Sequence, residues 1–185
     1  MNRSLRSALL ALSFAAAGVS GAAAADSALV DFGKLARSVN GEFVEVTLGV
    51  PLLRFAAKCA ERQEPIVADL LRGLNHVKVN VIGLDDTNRS AMGERVKSIR
   101  KDLNSQGWAP IVTAQNQKDQ DVVIFARLAN DETIEGLVIT VVEGDRKAVL
   151  VNIAGKIKAE QLSMLAEHLQ IPGLKMAAQA AAPAR

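Results

Sequence analysis

The stretch VLVNIAGKIKAEQLSML, Val149 to Leu165, sets a glycine and a lysine between an apolar run and a helix-like segment. Strand, glycine loop and helix is also how phosphate-binding loops are built, the backbone N–H groups cradling the phosphates. That motif requires G-x-x-x-x-G-K-[ST]. Here Leu150 stands five residues before Gly155 and Ile157 follows Lys156, so both requirements fail. A local account fits better. With Lys158 as N-cap, Ile157 and Leu162 take the places of a hydrophobic staple, and Gln161 sits where a side chain reaches back to the cap N–H. Gly155-Lys156 therefore reads as a turn into a helix start.

Other reactive side chains are few. Cys59 is the only cysteine, so an intramolecular disulfide is excluded. It recurs at helical spacing with Leu52, Phe55 and Ala56, which predicts a core-facing stripe and a buried, inert thiol. The two histidines, His76 and His168, have no local metal-ligand spacing, so neither a zinc site nor any cofactor is implied. Ser90, Ser98, Ser105 and Ser163 lack the G-x-S-x-G setting of an activated serine. Asp85-Asp86, before Thr87-Asn88, sits where loops often carry function, but these residues are also good turn formers and caps. Arg89, Arg95, Lys97, Arg100 and Lys101 share one helix. At about 100° per residue they scatter around it rather than form a stripe, which predicts a solvated surface.

The elements that must position these residues follow from periodicity. SALVDFGKLARSV, Ser27 to Val39, reads as a short helix ended by Asn40-Gly41. EFVEVTLG alternates Val44, Val46 and Leu48 with Glu45 and Thr47, a half-buried strand. Helices follow at Pro51–Ala60 and Pro65–Leu74, each with proline in its first turn. HVKVNVIGL is a second strand with Val77, Val79 and Val81 on one face. In the helix from Asn88 to Gly107, Met92, Val96, Ile99 and Leu103 form the seam and Gly107 the stop. WAPIVTA reads as a short strand, its Pro110 favouring an edge. DVVIFARL, TIEGLVITVV and AVLVNI, split by ANDE and EGDRK, read as an antiparallel meander, and a last helix spans Ala159–Gln170. The order β-α-α-β-α-β-β-β-β-α, with parallel-type crossovers first and the meander last, predicts an α+β fold. Its sheet is expected to be mixed, mainly antiparallel, with helices packed on it.

The meander strands are apolar on both faces, so something covers both. Helices on each side would suffice. The functional alternative reserves one face for a second copy of the chain, an envelope protein or a lipid-like ligand. Arg127 and Asn152 are the polar exceptions on these strands and the only residues assigned to a ligand or partner site.

The ends of the chain read differently from its middle. Residues 1–25 have a positive start (Arg3, Arg6), the apolar stretch Ala8–Val19, and small residues that fit cleavage between Ala25 and Asp26, the pattern of a signal peptide. The stretch is too short for a membrane span, and no cysteine stands nearby to accept a lipid. The segment holds two of the 22 basic residues and none of the 20 acidic ones. Without it the charges balance and nothing global points to nucleic acid. Residues 26–174 are expected to form a single domain, and 175–185 a flexible tail.

Gly107-Trp108 after the long helix, EGLVITVVEGD and VLVNIAGKIKAEQLSML together resemble a bacterial domain-of-unknown-function family, DUF4252. The resemblance runs from about Val44 to Leu169. Members look like small exported or lipid-anchored proteins with a comparable helix, meander and final VNI-x-G-x-I segment. It implies a fold and an envelope location but no activity. The expectation is a periplasmic or secreted, non-enzymatic binding module that works through the meander. The rival is a small-molecule binder or enzyme with a cleft between helices and sheet.

Overall fold

The computed structural model describes residues 28–39, 41–115, 120–130, 133–158 and 161. The expected signal peptide, the C-terminal tail, the Asp131-Glu132 turn, His168, Ser163 and Leu162 lie outside these residues. So does all of the last expected helix except Gln161.

The fold is α+β. Strands β1 (Phe43–Gly49), β2 (Leu74–Gly83), β3 (Ala109–Gln115), β4 (Gln120–Asn130), β5 (Thr133–Glu143) and β6 (Lys147–Lys158) form one sheet in the order β1-β2-β6-β5-β4-β3. Helices α1 (Val50–Ala60) and α2 (Pro65–Gly73) link β1 to β2, and α3 (Arg89–Ser105) links β2 to β3. Every pairing is antiparallel. The expected parallel-type crossovers therefore make no parallel pair. β1 and β2 are antiparallel neighbours, while β2 and β3 run the same way with β6, β5 and β4 between them.

Both faces of the meander are covered by the chain itself. On one face Leu53 of α1 and Leu70 of α2 join Ile124, Leu137, Ile139, Ile153 and Ile157. On the other, the α3 seam of Met92, Val96, Ile99 and Leu103 packs with Phe125, Val138 and Leu150. The end of α3 is a Schellman motif: Trp108 N–H donates to Leu103 O (3.0 Å), Gly107 N–H donates to Asn104 O (3.2 Å), and Gly107 has φ +82°. Trp108 is thereby turned back into the core. Its ring lies over Gly136, where an added Cβ would stand 2.6 Å from Cη2.

Residues 28–39 do not form the expected helix. They run as an irregular strap over the α3 face of the sheet, with Ala28 and Phe32 buried and Gly33 at φ +62°. Sheet and helix side chains hold the strap's backbone groups, replacing the internal hydrogen bonds of a short helix.

Gly155-Lys156 is likewise not a turn, because β6 continues through it to Lys158. Gly155, at φ +145°, sits at an irregularity opposite Leu74. A Cβ there would come within 2.5 Å of Gly73 O, and one on Gly73 would strike Lys156 O. The two glycines let the α2–β2 junction lie directly on β6. The side-chain return expected at Lys158 is present, its N–H donating to Gln161 Oε1 at 3.0 Å; the staple partner Leu162 lies outside the described residues.

Candidate functional site

Asn152 is fully buried and engaged within the chain. Its Nδ2 donates to Ala28 O (3.1 Å) and Leu137 O (3.4 Å), and its Oδ1 accepts from Val30 N–H (3.1 Å). The carboxamide acts as a short piece of strand partner for the strap, which gives a polar group in an apolar strand its physical reason. Arg127 lies elsewhere on the sheet, and its Nε donates to Glu135 Oε1 at 2.7 Å. The structure does not bring Arg127 and Asn152 to a common cavity among those described below.

Asp85 organises the loop before α3. Its carboxylate accepts from Thr87 N–H (2.8 Å), the Thr87 hydroxyl and the Ser38 hydroxyl, so it closes a turn rather than capping the helix. Asn88, buried beside it, donates to Ala36 O and Gly83 O and accepts from Asp85 N–H. The Ser38 and Thr87 hydrogen bonds hold the Asp85 carboxyl down at about 2, from an ordinary 3.8. A carboxyl lowered in the folded state stabilises above its unfolded value and loses that contribution as pH falls through the folded one. Wild-type protein should therefore lose stability between about pH 4 and pH 2 more steeply than Asp85→Asn, read from urea midpoints across that range. Parallel pH profiles would refute this role.

Two expectations about surfaces are overturned. Cys59 is exposed, and so are Leu52 (56%) and Phe55 (66%) on the same stripe; α1 instead buries Leu53 and Ala57. Both stripes are apolar, and the choice falls to the one facing β2 and α2. The basic residues of α3 are not all solvated either. Arg95 Nε donates to Phe32 O (2.8 Å), and Arg100 reaches Thr140 Oγ1 (2.9 Å) and Asp121 (2.7 Å). Their long stems cover apolar surface while the heads clamp strap and sheet.

His76 is held below its ordinary value by burial and then by Lys78. Among the described residues no group of three or more His, Cys, Asp or Glu side chains could hold a metal. No helix among them is long and apolar enough to cross a membrane.

The strap creates a cavity of about 390 Å³ between residues 32–37 and the β1–β2 end of the sheet. Phe43 and Glu45 of β1 and Lys78 and Asn80 of β2 line its floor. The register sets Glu45 directly opposite Asn80, with Lys78 two residues along on the same face. Lys78 Nζ is 3.7 Å from Glu45 Oε1, and the Arg37 guanidinium lies over the Phe43 ring, 3.6 Å from its centroid. Asn80 is fully buried, yet neither its Nδ2 nor its Oδ1 has a hydrogen-bond partner. An amide buried without partners costs roughly 1–3 kcal/mol per group, so it calls for an explanation. A smaller cavity of about 190 Å³ lies between the strap and α3, next to Arg95 and Asp102.

Sequence reasoning missed the Asn80 floor. In HVKVNVIGL, Lys78 and Asn80 look like the wet face of a half-buried strand. The available signal was Ile82, an apolar residue on that same face, which shows that a cover begins there.

A family model described as a domain of unknown function, DUF4252, matches residues 38–165. The chain belongs to this family. In this DUF4252 protein the cavity floor, from Phe43 to Asn80, lies inside the matched span, whereas the roof, residues 32–37, precedes it. No curated protein and no solved structure matches the chain.

Proposed function

We propose that this is an exported envelope protein that binds a small polar ligand, without transforming it, in the cleft between the strap and β1–β2. The observation that carries the reading is Asn80: a buried amide with both polar atoms unpartnered, at the floor of a cavity large enough for a ligand. The cleft offers binding groups (Arg37, Glu45, Lys78, Asn80) rather than a nucleophile beside its base. Export is supported by the signal-like residues 1–25 and the fit of Ala25-Asp26 to cleavage. The meander, covered on both faces by the chain, serves in this reading as the rigid support of the cleft.

The test is Asn80→Leu, close to isosteric. A residue kept for a ligand at the expense of the empty protein should, when made apolar, raise stability by about 1–3 kcal/mol in urea unfolding. A variant less stable than wild type would make the amide structural and remove the reading. Export is tested separately by fractionation and intact mass. A periplasmic species beginning at Asp26 is expected, and retention of the full-length chain inside the cell would overturn it.

A further inference from the structure

We propose that the cleft takes a small carboxylate with a hydrogen-bond donor beside the carboxyl group, the chemistry of an N-acyl amino acid or of a peptide C-terminus. The proposal rests on the reading of the cleft as a ligand site. Three cations, Lys34, Arg37 and Lys78, line the cleft against one carboxylate, Glu45. Glu45 is partnered by Lys78, and no ion pair engages Lys34 or Arg37 among the described residues. The lining is therefore two positive charges in excess, and an anion is what it lacks.

Asn80 narrows the class further. Its carboxamide offers an N–H donor and a carbonyl acceptor side by side, and both are vacant. A carboxylate alone satisfies only Nδ2 and leaves Oδ1 buried and unpaired. A carboxylate with a neighbouring N–H satisfies both, just as Ala28 O and Val30 N–H satisfy the carboxamide of Asn152 on the adjacent strand β6. Stacking on Phe43 fixes the Arg37 plane at the rim, where it can meet the second carboxylate oxygen. Leu35, Ala36 and Phe32 supply apolar wall for a small side chain. At roughly 30 Å³ per small group, the volume suits a ligand of about ten to fifteen non-hydrogen atoms.

The experiment is a titration of ¹⁵N-labelled protein, residues 26–185, followed through the Asn80 side-chain NH₂ pair. The probes are N-acetylalanine, its neutral amide N-acetylalaninamide, and propionate, which has the charge without the donor. N-acetylalanine is expected to shift the Asn80 pair and to bind roughly tenfold more tightly than either control, the scale of one charge-assisted hydrogen bond. Arg37→Ala, an exposed position, should weaken it by a similar factor and leave the fold intact. An acetylated trialanine separates the two sources: tighter binding than N-acetylalanine assigns a peptide C-terminus, and weaker binding assigns a free N-acyl amino acid. Equal or better binding of the neutral amide, or no shift with N-acetylalanine, overturns the carboxylate class. Those results leave the ligand-site reading to the Asn80→Leu stability measurement, which uses no ligand and so fails or stands by itself.

Discussion

Gly155→Ala should cost about 3 kcal/mol or more and leave a partly unfolded population at ambient temperature. The residue sits at φ +145°, a conformation that an L side chain adopts only with strain of about 1–3 kcal/mol. The added Cβ would also stand 2.5 Å from Gly73 O and Leu74 Cα and 2.9 Å from Asn75 N. All three are backbone atoms of the α2–β2 junction, so relief requires moving the main chain rather than turning a rotamer, adding about 1–3 kcal/mol. The contact is reciprocal, because a Cβ on Gly73 would meet Lys156 O. Gly93→Ala is the matched control. Nothing lies within 4 Å of its added Cβ, and its place inside α3 predicts a gain of about 0.5–1 kcal/mol. Urea midpoints at constant m-value read both variants. A Gly155→Ala protein within about 1 kcal/mol of wild type would show that β6 and the α2–β2 junction can part without cost.

Asn152→Ala should act differently, releasing the strap while the sheet survives. Truncation leaves Ala28 O and Val30 N–H without their partner, at roughly 1–3 kcal/mol each if they stay buried. Ala28 is buried and Val30 half-buried, so full hydration of both groups lifts the strap and uncovers Phe32. The expected outcome is a loss of about 2–4 kcal/mol confined to local opening. Hydrogen exchange should quicken across residues 28–37, while the amides of Leu137 and Ile139 keep their protection. The cleft loses its roof in the same event, so N-acetylalanine binding should weaken with it. Unchanged exchange at Val30 would mean that Arg95 on Phe32 O and Asn88 on Ala36 O hold the strap without Asn152.

The sequence was most legible where one element carries one strong periodicity. The α3 seam, the Gly107 stop and the spans of β1, β2 and the meander follow from spacing of 3.6 or 2. On β1 and β2, however, the buried face is the other one: Val44 and Val46 are exposed, while Asn80 and Ile82 are fully buried. It was least legible where a partner distant in the chain decides. Residues 28–36 have the composition of a short helix, but Asn152, Arg95 and Asn88, between 52 and 124 positions away, hold them extended. On α1, apolar stripes compete, and only the position of β2 selects Leu53 and Ala57 over Leu52, Phe55 and Cys59. Gly155 was read as a turn because glycine after an apolar run usually ends it. Here glycine is needed so that the strand can pass under Gly73. The candidate cleft was illegible for the same reason, since its floor looks like an ordinary wet face until the strap is laid over it.

The strand order has a consequence for how this chain is made. Among the described residues the last strand in the chain, β6, lies between β2 and β5 and links the β1–β2 pair to β5, β4 and β3. Until residue 158 has emerged, β2 and β5 each present an open edge, and no arrangement of the earlier residues can close them in the native way. Completion of the sheet is thus deferred until β6 has been made, and the pairing of residues as distant as Leu74 and Gly155 slows it further. Under the export proposed above, that delay would be protective. A nascent chain that cannot complete its sheet stays pliable enough to pass.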